Sequence, residues 1–202
     1  MPIDALQQAA IEAAFSAAQQ RTRAPIVCVL AHASANYEFS PLLASGLFGL
    51  LTPWPLLMFT QLSAQRIFLA QLVVCFAVSA ILMLSPLRLR LTPRSVRRAN
   101  AHRAALVQFQ LRELDRIAER SGVLVYVSLA ERYARVVAAE AATQAIAQDQ
   151  WQAFVDALVA DIRKCGPAEA LASAALRCAD VLASAFPPTG EPPQHRQHFH
   201  VI

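Results

Sequence analysis

Apolar positions change their spacing three times along the chain. They recur at helical intervals up to residue 20 and then form one short unbroken run. Between Pro41 and Pro86 they fill nearly every position, and after Arg88 mixed periodicity returns. In the first part Leu6, Ala10, Ala13 and Ala17 share a helical face with Ile11 and Phe15 beside it. Asp4 stands where a side-chain oxygen would accept the first free amides, so a helix is predicted over 4–20. The run Pro25-Ile26-Val27-Cys28-Val29-Leu30 is too short for a helix of its own and rich in β-branched residues. It reads as a buried parallel strand.

The middle stretch holds two segments, 42–60 and 67–85, each close to the roughly 20 residues that cross a bilayer as helix. The short polar break from Gln61 to Arg66 makes them an antiparallel hairpin. Pro53 and Pro55 on either side of Trp54 predict a kink in the first segment, tolerated where neighbours satisfy the freed backbone groups. Arg66 at a helix centre would cost about 2.5–3.5 kcal/mol, which places it at the outer interface. Arg88, Arg90, Arg94, Arg97, Arg98 and Arg103 follow the second segment. By the positive-inside rule they mark the cytoplasmic face, together with Arg21 and Arg23. The expectation is a multi-pass protein of the cell inner membrane with both termini cytoplasmic and these arginines against lipid headgroups. Ala44, Ser45, Gly46 and Gly49 would allow close helix contact in the hairpin.

In the second half a helix is predicted from Asn100 to Arg120, with Leu106, Phe109, Leu114 and Ile117 as its apolar stripe, stopped by Ser121-Gly122. Val123 to Leu129 is apolar at nearly every position and reads as the central strand, turning through Ala130-Glu131-Arg132 into a second strand, Tyr133 to Ala138. Thr143 or Asp149 caps the next helix, whose stripe is Trp151, Phe154, Val155, Leu158 and Ile162. Gly166 ends it. Pro167 opens a last helix carrying Leu171, Ala175, Cys178, Leu182 and Phe186 on one face. The division is therefore 1–40 and 87–186 as two parts of one domain, 41–86 as the membrane hairpin, and 187–202 as a Pro/His-rich tail.

Composition sharpens this in three places. The 202 residues are 56% hydrophobic with mean hydropathy +0.38, too apolar for an ordinary soluble domain of this length. The net charge of +4 rests on arginine, since Lys164 is the only lysine, and the basic cluster follows the membrane segment without interleaved aromatics. That points to lipid and away from nucleic acid. The cysteines Cys28, Cys75, Cys165 and Cys178 form no Cys-x-x-Cys and read as free buried thiols. With Asp4 and Glu12 and no apolar core near the start, no cleavable signal peptide is expected. His32 and His102 have no nearby nucleophile, and no Walker or dinucleotide motif occurs. His195-x-x-His198-x-His200 carries imidazoles at a spacing open to zinc or nickel, although the proline-rich approach argues against a preorganised site.

The stretch Gly122-Val123-Leu124-Val125-Tyr126-Val127-Ser128-Leu129-Ala130-Glu131-Arg132-Tyr133-Ala134-Arg135-Val136-Val137 resembles the TPM domain family. His102 to Phe109 and Phe186-Pro187-Pro188 look like a bacterial membrane branch of it. The resemblance runs from Ile11 to Pro188. It implies an α/β/α sandwich around a small mixed sheet, membrane attachment and, for some members, metal binding with phosphatase activity. This chain departs from the family's Gly-x-Gly-Leu-Glu loop, having Ala138-Ala139-Glu140-Ala141-Ala142 there with no glycine to bring backbone close to a phosphate or ion. Glu131, Glu140 and Asp149 remain as carboxylates for a divalent metal, a thin set for an ion that needs several converging oxygens. The expected function is a non-catalytic protein- or lipid-interaction module at the cytoplasmic face, without a cofactor. The alternatives are a metal-dependent phosphatase and a structural subunit of a membrane complex.

Overall fold

The computed structural model describes residues 4–35, 39–60, 63–84, 92–116, 120–188 and 198–202. In chain order the elements are α1 (Ala5–Gln19), β1 (Ile26–Ala31), α2 (Phe39–Leu51), α3 (Pro53–Phe59), α4 (Ala64–Leu84), α5 (Arg94–Leu111), β2 (Val123–Ser128), β3 (Tyr133–Ala138), α6 (Glu140–Ala145), α7 (Gln148–Cys165), α8 (Pro167–Ala183) and β4 (Phe199–Val201). The chain divides into two compact units, one of residues 1–34 and 99–202 and the other of residues 35–98.

The first unit is mixed α/β. Its four strands lie in the order β3-β2-β1-β4, with β2 and β4 parallel to β1 and β3 antiparallel to β2. Every residue of β1 and β2 is buried, which is why both read as unbroken apolar runs. Alternation sends Ile26, Cys28 and Leu30 with Val123, Val125 and Val127 to one face, where α1, α7 and α8 cover them. Val27 and Val29 with Leu124 and Tyr126 point to the other, where Ala105 and Phe109 of α5 pack. On α1, Asp4 and Gln7 form a reciprocal capping box, and Ile11, Phe15 and Ala18 are the buried residues on the sheet side.

Helix α5 differs from expectation at both ends. It runs Arg94–Leu111, and the chain turns at Glu113 with φ of +52°. Its sheet-facing residues are Ala101, Ala105 and Phe109, whereas Leu106 is exposed, because small side chains let the helix approach the strands. Leu114 is buried after the helix has ended. There the chain returns so closely that a Cβ on Gly122 would lie 2.3 Å from the Leu114 carbonyl oxygen. Ile117 of the expected stripe lies outside the described residues.

Helix α7 starts after Ala147, so Asp149 sits in its first turn and neither it nor Thr143 is the cap. The thiols divide: Cys28 and Cys178 are buried, Cys75 is intermediate and Cys165 is exposed, against the reading of all four as buried. Burial pushes the Cys28 thiol far above its ordinary range and the Cys178 thiol up to about 12.

The second unit holds α2, α3 and α4. Leu42–Phe59 and Ala64–Leu82 are long and apolar enough to cross a membrane, with only 11% and 6% of these segments buried. The first is interrupted at Thr52, ahead of Pro53. Helix α2 packs on α4, and Gly49 meets Cys75 there, a Cβ at that position standing 3.4 Å from the Cys75 Cβ. Ser45, one turn earlier, is also buried, so the small pair Ser45-x-x-x-Gly49 lies in the described structure where close packing needs it, while Gly46 faces open space.

Candidate binding cleft at the strand ends

In open α/β sheets ligands collect beyond the carboxyl ends of parallel strands, where neighbouring connections diverge. Here β1 sends the chain to β2 on one side and accepts β4 on the other. Just beyond those ends the β2–β3 turn carries a buried carboxylate, Glu131. Oε1 accepts the Ser34 backbone N–H at 2.9 Å. Oε2 accepts the Ser34 hydroxyl at 3.3 Å and also the Ser128 hydroxyl. Ser34 Oγ lies 2.9 Å from the hydroxyl of the fully buried Tyr126. Burial raises the Tyr126 phenol above its usual range, the Ser34 hydrogen bond works against that, and the nearby Glu131 charge adds to it. Glu131 thus ties the segment after β1 to the turn after β2.

The other two candidate carboxylates are elsewhere. Glu140 follows β3, whose last residue pairs with the first of β2, so a whole strand of roughly 20 Å separates it from Glu131. It is exposed and pairs with Arg120 at 2.8 Å. Asp149 is in the first turn of α7, roughly 20 Å along that helix from Ile162, which approaches the Glu131 end of the sheet. The structure does not bring the three together, and among the described residues no group of three or more His, Cys, Asp or Glu converges on one point.

Of the tail histidines, His195 lies outside the described residues. His198 is buried, its Nδ1 3.2 Å from the Ile26 carbonyl oxygen, and His200 is in β4. The segment read as a tail therefore supplies an edge strand at Phe199–Val201. Glu12 of α1 holds it by accepting the backbone N–H groups of His198 at 2.9 Å and Phe199 at 2.6 Å. Arg88 and Arg90 lie outside the described residues, Arg66 is exposed in α4, and Arg94, Arg97 and Arg98 form the start of α5.

Next to the Glu131 turn a cleft of about 520 Å³ opens between the end of β2 and α7. Its apolar wall includes Val127, Leu129, Val159 and Ile162, and Arg132 and Arg163 bring two cations to it. Nothing in the sequence pairs these two arginines, which are 31 positions apart, one in the turn after β2 and the other in the last turn of α7.

The chain shares its fold with a protein of known structure. It is similar to the BA42 protein from the psychrophilic bacterium Bizionia argentinensis sp. nov., solved by NMR, with a TM-score of 0.61 and 12% identity over 100% of this chain and 97% of that one. At that identity the likeness speaks for the α/β fold. No family model matches the chain, and a search of curated proteins finds no match.

Proposed function

We propose that this chain is a multi-pass protein of the bacterial inner membrane whose TPM-like α/β/α sandwich lies at the cytoplasmic face and binds protein or lipid without catalysing a reaction. The observation that carries the membrane part is the exposure of α2, α3 and α4. Phe48, Leu50, Trp54, Leu57, Met58, Phe59 and Phe76 each leave more than half their surface uncovered, on segments already lacking acidic residues. Water does not tolerate so large an apolar face, whereas acyl chains match it. Support for a binding role comes from the carboxylates, since Glu131 is spent on fastening two loops and Glu140 on a solvated pair with Arg120.

Alkaline carbonate extraction of membranes tests the anchoring, and release of the chain into the supernatant would refute it. A reporter active only outside the cytoplasm, joined after Ile202 by a flexible linker, should stay silent. A strong signal would reverse the orientation.

A further inference from the structure

Arg132 and Arg163 line one cleft, both are exposed, and neither has a side-chain hydrogen bond or ion pair among the described residues. Glu131, the acid preceding Arg132, accepts from the Ser34 and Ser128 hydroxyls, and Ser128 itself lines the cleft, while Asp161, two residues before Arg163, pairs with Arg177. Arg132 has φ of +52°, a left-handed conformation in which Gly or Asn would serve the turn better, so the turn alone does not account for an arginine there. The two cations therefore stand without a side-chain ion pair among the described residues, beside an apolar wall of Val127, Leu129, Val159 and Ile162, in a cleft whose volume suits a small organic molecule.

The kind of anion is narrowed by α7. Arg163 lies in its last turn, where the free carbonyls present partial negative charge, the opposite of a phosphate-binding helix start. A planar carboxylate matches the guanidinium fork and needs no helix N-terminus behind it.

We infer that this cleft binds a small organic carboxylate with an apolar body, its carboxylate between Arg132 and Arg163 and its hydrocarbon against Val159, Ile162 and Leu129. This rests on the reading of the α/β unit as a binding module and names its ligand class.

The test is calorimetric titration of the full chain in phosphatidylcholine nanodiscs with hexanoate, subtracting empty nanodiscs, beside acetate, hexyl phosphate and hexanol. Hexanoate is expected to bind at least tenfold more tightly than each of the other three. The double variant Arg132→Gln/Arg163→Gln, with an unchanged melting temperature, should weaken hexanoate at least tenfold. Absence of hexanoate binding, equal binding of acetate or hexanol, tighter binding of hexyl phosphate, or an unaffected double variant would each overturn the assignment. Extraction, topology and turnover assays report on the broader reading alone, so the two can fail separately.

Discussion

Val125→Asp separates a joint α/β unit from two independent halves. Val125 is fully buried, aligned with Cys28 of β1 and Val136 of β3, and belongs to the same core as Ile11 and Phe15 of α1. Losing the apolar side chain removes about 1.5–2 kcal/mol of burial. The new carboxyl group must also stay neutral at pH 7, about three units above its ordinary pKa, which adds about 4 kcal/mol at 1.36 kcal/mol per unit. The total of about 6 kcal/mol is comparable with the whole stability of a domain. The pH dependence has a definite sign. The folded chain keeps this group protonated while the unfolded chain releases the proton above about pH 4, so the variant's stability falls as pH rises from 4. Val125→Ala, which leaves a cavity and no charge, should show no such slope.

Trypsin offers the readout, because Arg21 and Arg23 are exposed between α1 and β1. In nanodiscs at pH 7.5 the Asp variant should be cut there far faster than the parent, and at pH 4.5 hydrogen exchange across β1 should recover toward the Ala variant. If residues 4–31 stay protected while the carboxyl-terminal half opens, the two parts do not share a core. Equal damage at both pH values would refute the electrostatic part of the reasoning.

Gly122→Ala forces a Cβ against the Leu114 carbonyl and should cost about 1–3 kcal/mol in urea unfolding, a change under 0.5 kcal/mol contradicting the close approach. Glu12→Ala leaves the His198 and Phe199 amides without their acceptor. A local loss of about 2 kcal/mol would speed exchange of the Cys28 amide, which donates to His198, by about 30-fold. An aromatic disulfide reagent at pH 8 should modify exposed Cys165 and spare Cys28 and Cys178 until denaturant is added, because burial holds both thiols protonated; early loss of all three would refute that. With Mg, Mn or Ca the purified chain should not hydrolyse a generic phosphomonoester above background. Metal-dependent turnover abolished by Glu131→Ala would favour the phosphatase reading.

Strands β1 and β2 were legible because burial on both faces of a central strand leaves an apolar run that no other short element explains, and β3, a half-buried edge strand, because it follows β2 through the short polar turn Ala130-Glu131-Arg132. The stripes of α7 and α8 were legible too, Trp151, Phe154, Leu158, Leu171, Cys178 and Leu182 being large or well spaced enough to mark the buried side. The buried face of α5 was not, since Ala101 and Ala105 look neutral and the larger Leu106 misled the eye. Strand β4 escaped notice for another reason. Three residues after a proline-rich stretch carry no periodicity, and what fixes them is Glu12, which reads as an ordinary surface acid. The cleft was invisible likewise, because Arg132 and Arg163 meet through the placement of α7 on β3 and through nothing local in the chain.

The clasp between Glu12 and the start of β4 joins residues 186 and 187 positions apart, so the first strand made is paired by the last. While the ribosome is still working through the helices of the second half, β1 has one open flank, and both apolar segments have already left the exit tunnel. On the proposed membrane reading, bilayer insertion would precede closure of the sheet. On that reading a stalled or truncated nascent chain would lodge in the membrane displaying an unpaired strand, a ready template for aggregation.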